Sequence, residues 1–77
     1  MVQAYILIQS EVGKSSAVSE AVGAIPGVVK AEEVTGPYDV IARVEADNVN
    51  ELGQLVIARI QDIQGITRTL TCTVVHA

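Results

Sequence analysis

The residues of this 77-residue chain that could do chemistry fall into a few short stretches, and most of them have a simpler explanation. Gly13-Lys14-Ser15 follows a strand-like run and opens a helix-like one, as a phosphate-binding loop does. Such a loop needs a glycine five residues before Gly13, and that position is Ile8, so the amide cradle is missing. A helix start with an exposed lysine remains. His76 stands beside the C-terminus with no sequence neighbour to orient it as a base, and a frayed terminal residue accounts for it. Cys72 is the single cysteine, set between Thr71 and Thr73 with no adjacent basic residue to activate it, and reads as a small buried strand residue. One Cys and one His cannot supply the three or four clustered ligands of a soft metal site. Glu32 and Glu33 are adjacent, so on a strand they point to opposite faces and cannot work as an acid/base pair. No catalytic constellation, metal set or cofactor motif emerges, and the expectation is a protein without enzyme activity.

Thr35-Gly36-Pro37-Tyr38-Asp39 is the exception. Pro37 suits the first central position of a turn and Gly36 tolerates unusual backbone angles, so a hairpin connection explains both. It does not explain Tyr38, one of only two aromatic residues in the chain. Asp39, at the start of the next strand-like run, can cap free amides or bind an ammonium group. A plain turn and a part of a binding site both fit these residues.

The elements that must hold this stretch are legible from periodicity. Val18, Ala21, Val22 and Ile25 recur at the spacing of one buried helical stripe, and Leu52, Val56, Ile60 and Ile63 form a second. Ser15 or Ser16 can cap the first helix. Asn48 with Glu51 three residues later resembles a capping box for the second, with Asp47 as the alternative cap. Gly27 and Gly65 mark where each helix stops, and Pro26 reinforces the first stop. The remaining runs, 2–9, 28–34, 39–46 and 66–75, are rich in β-branched residues. Residues 24–31 also match residues 62–69 at an offset of 38, pairing Ile25 with Ile63 and Gly27 with Gly65. The chain therefore repeats one β-α-β unit. A β-α-β-β-α-β order with right-handed crossovers gives an α+β, ferredoxin-like fold: a four-stranded antiparallel sheet, strands one and three central, both helices on one face.

Seventy-seven residues make one domain, 1–77, whose core alone is marginal. With no disulfide and no metal to add stability, self-association is what remains. The sequence supports that: Tyr5, Leu7 and Ile41 alternate with the core residues of the central strands and would leave an apolar patch on the helix-free face. Sheet-to-sheet or edge-to-edge dimerisation would cover it. The formal charge of −4 and five scattered basic residues argue against direct nucleic-acid binding. No apolar run is long enough to span a membrane and no secretory signal opens the chain, so a cytoplasmic protein is expected.

The run VTGPYDVIARVEADNVNEL, followed by IQGITRTLTCTVV, resembles the effector-binding (RAM) domain of the Lrp/AsnC family of transcriptional regulators. Gly36, Tyr38 and Asp39 match its glycine-tyrosine-aspartate loop, while Ile63, Gly65, Ile66, Thr69 and Thr71 match its second motif. The resemblance implies the fold just described, in dimeric α+β barrel form, with dimers assembled into a homo-oligomeric ring of eight or ten subunits. It further implies an amino acid effector held between neighbouring dimers. Gly36, Tyr38 and Asp39 would then hold the ligand's α-amino and α-carboxylate groups, Asp39 as the ammonium partner, with Thr69 and Thr71 as supporting polar contacts.

Typical regulators place a helix-turn-helix domain before this module, whereas this chain begins at the first strand. The expectation is a stand-alone effector domain acting through a full-length relative or by competing for effector. Two alternatives remain. Small chains of this order also build dimeric α+β barrel enzymes, such as cofactor-independent oxygenases and isomerases, and a pure ring-forming scaffold would need no ligand.

Overall fold

The computed structural model describes residues 1–75; His76 lies outside the described residues, and so does its sequence expectation. The elements run β1 (Val2–Ser10), α1 (Ser15–Gly23), β2 (Val28–Glu33), β3 (Val40–Ala46), α2 (Val49–Gln54) with a π-helical continuation (Leu55–Ile60), and β4 (Ile66–Thr73). The four strands form one antiparallel sheet in the order β2-β3-β1-β4, so strands one and three are central, as the sequence predicts. This is the ferredoxin-like arrangement. Among the described residues no helix is long and apolar enough to cross a membrane.

Register explains which residues meet. Ile6 lies between Ala42 and Thr71, and Ile8 between Val40 and Thr69, on the face covered by helices. Ala4, Ile6, Ile8, Val40, Ala42 and Val44 are fully buried there beneath Val18 and Val22 of α1 and Leu52, Val56 and Ile60 of the second helix. Each buried Val, Leu or Ile side chain among them contributes about 1.5–3 kcal/mol through burial. Ala21 departs from its predicted stripe and is exposed, because Val18, Val22 and half-buried Ile25 already fill the line facing the sheet.

The helix ends show three local solutions. Asn48 Oδ1 accepts from the Glu51 amide at 2.9 Å, the cap predicted for α2. α1 has no side-chain cap: Lys14 occupies the N-cap position, and Ser15 Oγ instead donates to Glu33 Oε1 at 3.0 Å. The second helix widens after Gln54, and the Gln61 amide donates to the Val56 carbonyl, five residues back, at 2.9 Å. Its buried residues are Leu52, Val56 and Ile60. They recur every four residues and face the sheet along the α-helical and π-helical parts alike.

Gly27 and Gly65, equivalent in the two repeats, sit at φ 98 and 97 just before β2 and β4. A Cβ on Gly65 would lie 3.2 Å from Val18 Cγ2 and 3.3 Å from Lys14 Cβ. Both the angle and the packing therefore require glycine.

The opposite sheet face carries no helix. Leu7 lies between Ile41 and Leu70, and Tyr5 between Arg43 and Cys72. Leu70 and Tyr5 are 45% and 43% exposed, so the apolar patch expected from the central strands is present. Gln3 ties its polar margin together, donating to Glu45 at 3.2 Å and accepting from Arg43 at 3.4 Å. Cys72 shares this face and is exposed, which corrects the expectation that it is buried: strand alternation turns it away from the helices, on an outer strand.

Candidate functional site

Six residues, 34–39, connect β2 to β3. The loop closes on itself where the Val34 amide donates to the Asp39 carbonyl at 2.9 Å. It is then fastened to the end of β1. The Asp39 amide donates to the Ile8 carbonyl at 2.8 Å, and Gln9 Nε2 donates to the Pro37 carbonyl at 2.9 Å. Asp39 Oδ2 accepts from the Ser10 amide at 2.8 Å and from Ser10 Oγ at 3.3 Å. Pro37 has no amide to satisfy and restricts φ, which stiffens the exposed tip.

What this fastening leaves free is the chemistry of the loop. Among the described residues the amides of Thr35, Gly36 and Tyr38 make no hydrogen bond, and neither do Asp39 Oδ1 and the Tyr38 hydroxyl. A Cβ on Gly36 would meet nothing within 4 Å, so its backbone is open to approach. Amide donors suit a carboxylate, and a carboxylate oxygen with spare lone pairs suits an ammonium group. Tyr38 and Asp39 are half-buried at the base, while residues 35–37 are exposed.

Gly36, Tyr38 and Asp39 are thus brought together, but Thr69 and Thr71 are not placed with them. Both threonines lie on β4, on the far side of β1 from β3, and two strand spacings amount to about 10 Å. Thr69 Oγ1 accepts from Gln61 Nε2 at 3.0 Å. It borders a shallow groove of about 310 Å³ with Gln61, Ile66, Thr67 and Arg68. Thr71 borders a second groove, beside α2. The 34–39 loop lines neither groove. Within one chain the five residues fall into two separate groups, the loop trio and the β4 pair.

Sequence reasoning missed Gln9 and Ser10, which anchor the loop, and Gln61, which holds Thr69. The signal for the first pair was present: an apolar strand that ends on two polar residues marks a strand end with hydrogen-bonding work to do. Among the described residues no group of His, Cys, Asp and Glu could hold a metal ion.

Comparison with known proteins agrees with the fold. The family model of the Lrp/AsnC ligand binding domain matches residues 3–77. The HTH-type transcriptional regulator FL11 of Pyrococcus furiosus is 32% identical over 75 residues, covering 95% of this chain and 49% of that protein. Homocitrate synthase of Sulfurisphaera tokodaii is 40% identical over 60 residues, covering 78% of this chain but 13% of the enzyme. This chain thus spans half or less of the length of either relative. A crystal structure of a protein from Thermus thermophilus superimposes with a TM-score of 0.94 at 35% identity, covering 100% of this chain and 96% of that one.

Proposed function

This chain belongs to the Lrp/AsnC ligand-binding domain family, and from that membership we propose that it is a non-enzymatic module that binds an amino acid and self-associates. The observation that carries this reading is the fastened 34–39 loop, whose free amides and spare Asp39 oxygen suit the two charged groups of an α-amino acid. The loop has no opposite wall within the chain. A second copy supplying the Thr69 and Thr71 side would complete the site, so ligand binding and assembly are coupled through differential affinity for the assembled state. The apolar patch of Tyr5, Leu7, Ile41 and Leu70 gives the sheet-face contact of the dimer, and dimers joined further make a ring of eight or ten.

These 77 residues carry a net charge of −4 with five scattered basic side chains, a weak match for the DNA backbone. A regulatory effect on transcription therefore passes through a full-length Lrp/AsnC-type partner. The homocitrate synthase match favours a second reading of that partner: the same module then reports a metabolite to an enzyme instead of a DNA-binding domain.

The test is thermal unfolding of the purified chain with a panel of amino acids, repeated on Asp39→Asn. One amino acid should raise the midpoint of the native chain by several degrees and leave Asp39→Asn unmoved, because the substitution keeps an acceptor for Ser10 but removes the charge. An equal shift in both proteins would remove Asp39 from the ligand. No shift with any amino acid would remove the effector reading.

A further inference from the structure

The groove at the start of β4 carries the reverse of the chain's overall charge. Gln61, Ile66, Thr67, Arg68 and Thr69 line it, and none of them is acidic, although the chain has nine acidic and five basic side chains. Its one charge is Arg68, which among the described residues makes neither an ion pair nor a side-chain hydrogen bond. Arg68 pairs with Gln9 of β1 and borders the groove from an outer edge that no other described strand covers.

The other polar groups of the groove add donors. Thr67 Oγ1 donates to the Gln9 carbonyl at 3.3 Å, which uses its hydrogen. Thr69 Oγ1 accepts from Gln61 Nε2 at 3.0 Å, so its own hydrogen stays available, as does the second hydrogen of the Gln61 amide. Turning the Gln61 carboxamide over would exchange donor and acceptor within that pair, and the amide would then present both of its hydrogens. In either orientation free donors stand beside a guanidinium. Half-buried Ile66 supplies an apolar wall for a short methylene chain.

We propose, resting on the reading of the chain as an amino acid-binding module, that this groove receives the side-chain carboxylate of an acidic amino acid and that Arg68 selects the ligand. The 34–39 loop holds the α-amino and α-carboxylate groups, which all amino acids share. The Thr69 side meets the side chain, where one amino acid differs from another. A guanidinium pairs with a carboxylate through two parallel hydrogen bonds, and the Thr69 hydroxyl or the Gln61 amide adds a third. The same donors work against the other classes of ligand. An ammonium or guanidinium side chain would bring a like charge to Arg68, with no carboxylate in the groove to offset it. An aliphatic side chain would cover the free donors and give them no acceptor in return. A carboxamide offers one acceptor oxygen and no charge, where a carboxylate offers two oxygens and a full charge. The size also fits: about 310 Å³ is at the lower limit of ligand-binding clefts, which suits the side chain of a single amino acid.

Isothermal titration calorimetry tests it on the native chain, Arg68→Gln and Arg68→Glu, with far-UV circular dichroism to verify folding. The panel of amino acids includes L-glutamate, L-aspartate, L-glutamine, L-asparagine and L-lysine. Glutamate or aspartate should bind the native chain about tenfold or more tighter than its own amide, the difference made by a hydrogen bond to a charged group. Arg68→Gln should lose about that factor for the acid and leave the amide nearly unchanged, and Arg68→Glu should bind lysine in preference to glutamate. Arg68 is exposed, so both variants keep the fold. Equal affinity of the native chain and Arg68→Gln for the acid overturns the role of Arg68. A neutral or basic amino acid that binds the native chain better than either acid overturns the acidic ligand and leaves the effector reading standing, whereas no binding of any amino acid removes both.

Discussion

One oxygen of the Asp39 carboxylate holds the Ser10 amide and hydroxyl, and the other is left over. The residue is therefore structural and available for ligand at once, which is why alanine at this position is a poor test of binding: it also releases the end of β1. Gly65 has a single role. At φ 97 and with 3.2 Å to Val18 from a hypothetical Cβ, Gly65→Ala should lower stability by about 1–2 kcal/mol, measured by urea denaturation. The importance of both positions is legible in the sequence, Gly65 from its place after a helical stripe and Asp39 from its place beside Tyr38. The Ser10 contact is not legible, because it joins residues 29 apart whose meeting depends on strand register.

At the scale of elements the sequence is informative wherever periodicity is strict. Strand order, both helical stripes apart from Ala21 and the Asn48 cap are legible from the sequence pattern, and Asn48→Ala should cost about 1 kcal/mol of unfolding free energy by thermal melting. The cap predicted for α1 fails because Ser15 finds Glu33, a strand residue that helix rules do not consider. The π-helical segment is also absent from the sequence reading. The buried stripe of Leu52, Val56 and Ile60 is visible there, but α1 buries Val18 and Val22 at the same spacing, so the stripe does not tell the two kinds of helix apart. Thr69 and Thr71 show a similar limit: their motif can be read, but a linear match does not say that β1 stands between them and the loop.

As a whole molecule the protomer has a well-filled helix side and an incompletely covered remainder, and the alternation of Tyr5, Leu7 and Ile41 announces the latter before any coordinates. Self-association is the proposed means of covering it, and on that reading the thermal midpoint should rise with protein concentration across a hundredfold dilution series. A midpoint independent of concentration would mean that the assembled state adds nothing to stability. The two halves of the chain are not equal in what they carry beyond the repeat. Shifting by 38 residues lays Gly36, Tyr38 and Asp39 on Val74, His76 and Ala77, so the loop chemistry has no counterpart in the other half. When a gene for one β-α-β unit is duplicated, its strands, helix and turns arrive already selected, and the joint between the copies is what must be newly made. Residues 34–39 lie where the two halves of this chain meet, so a change there touches the buried core of neither.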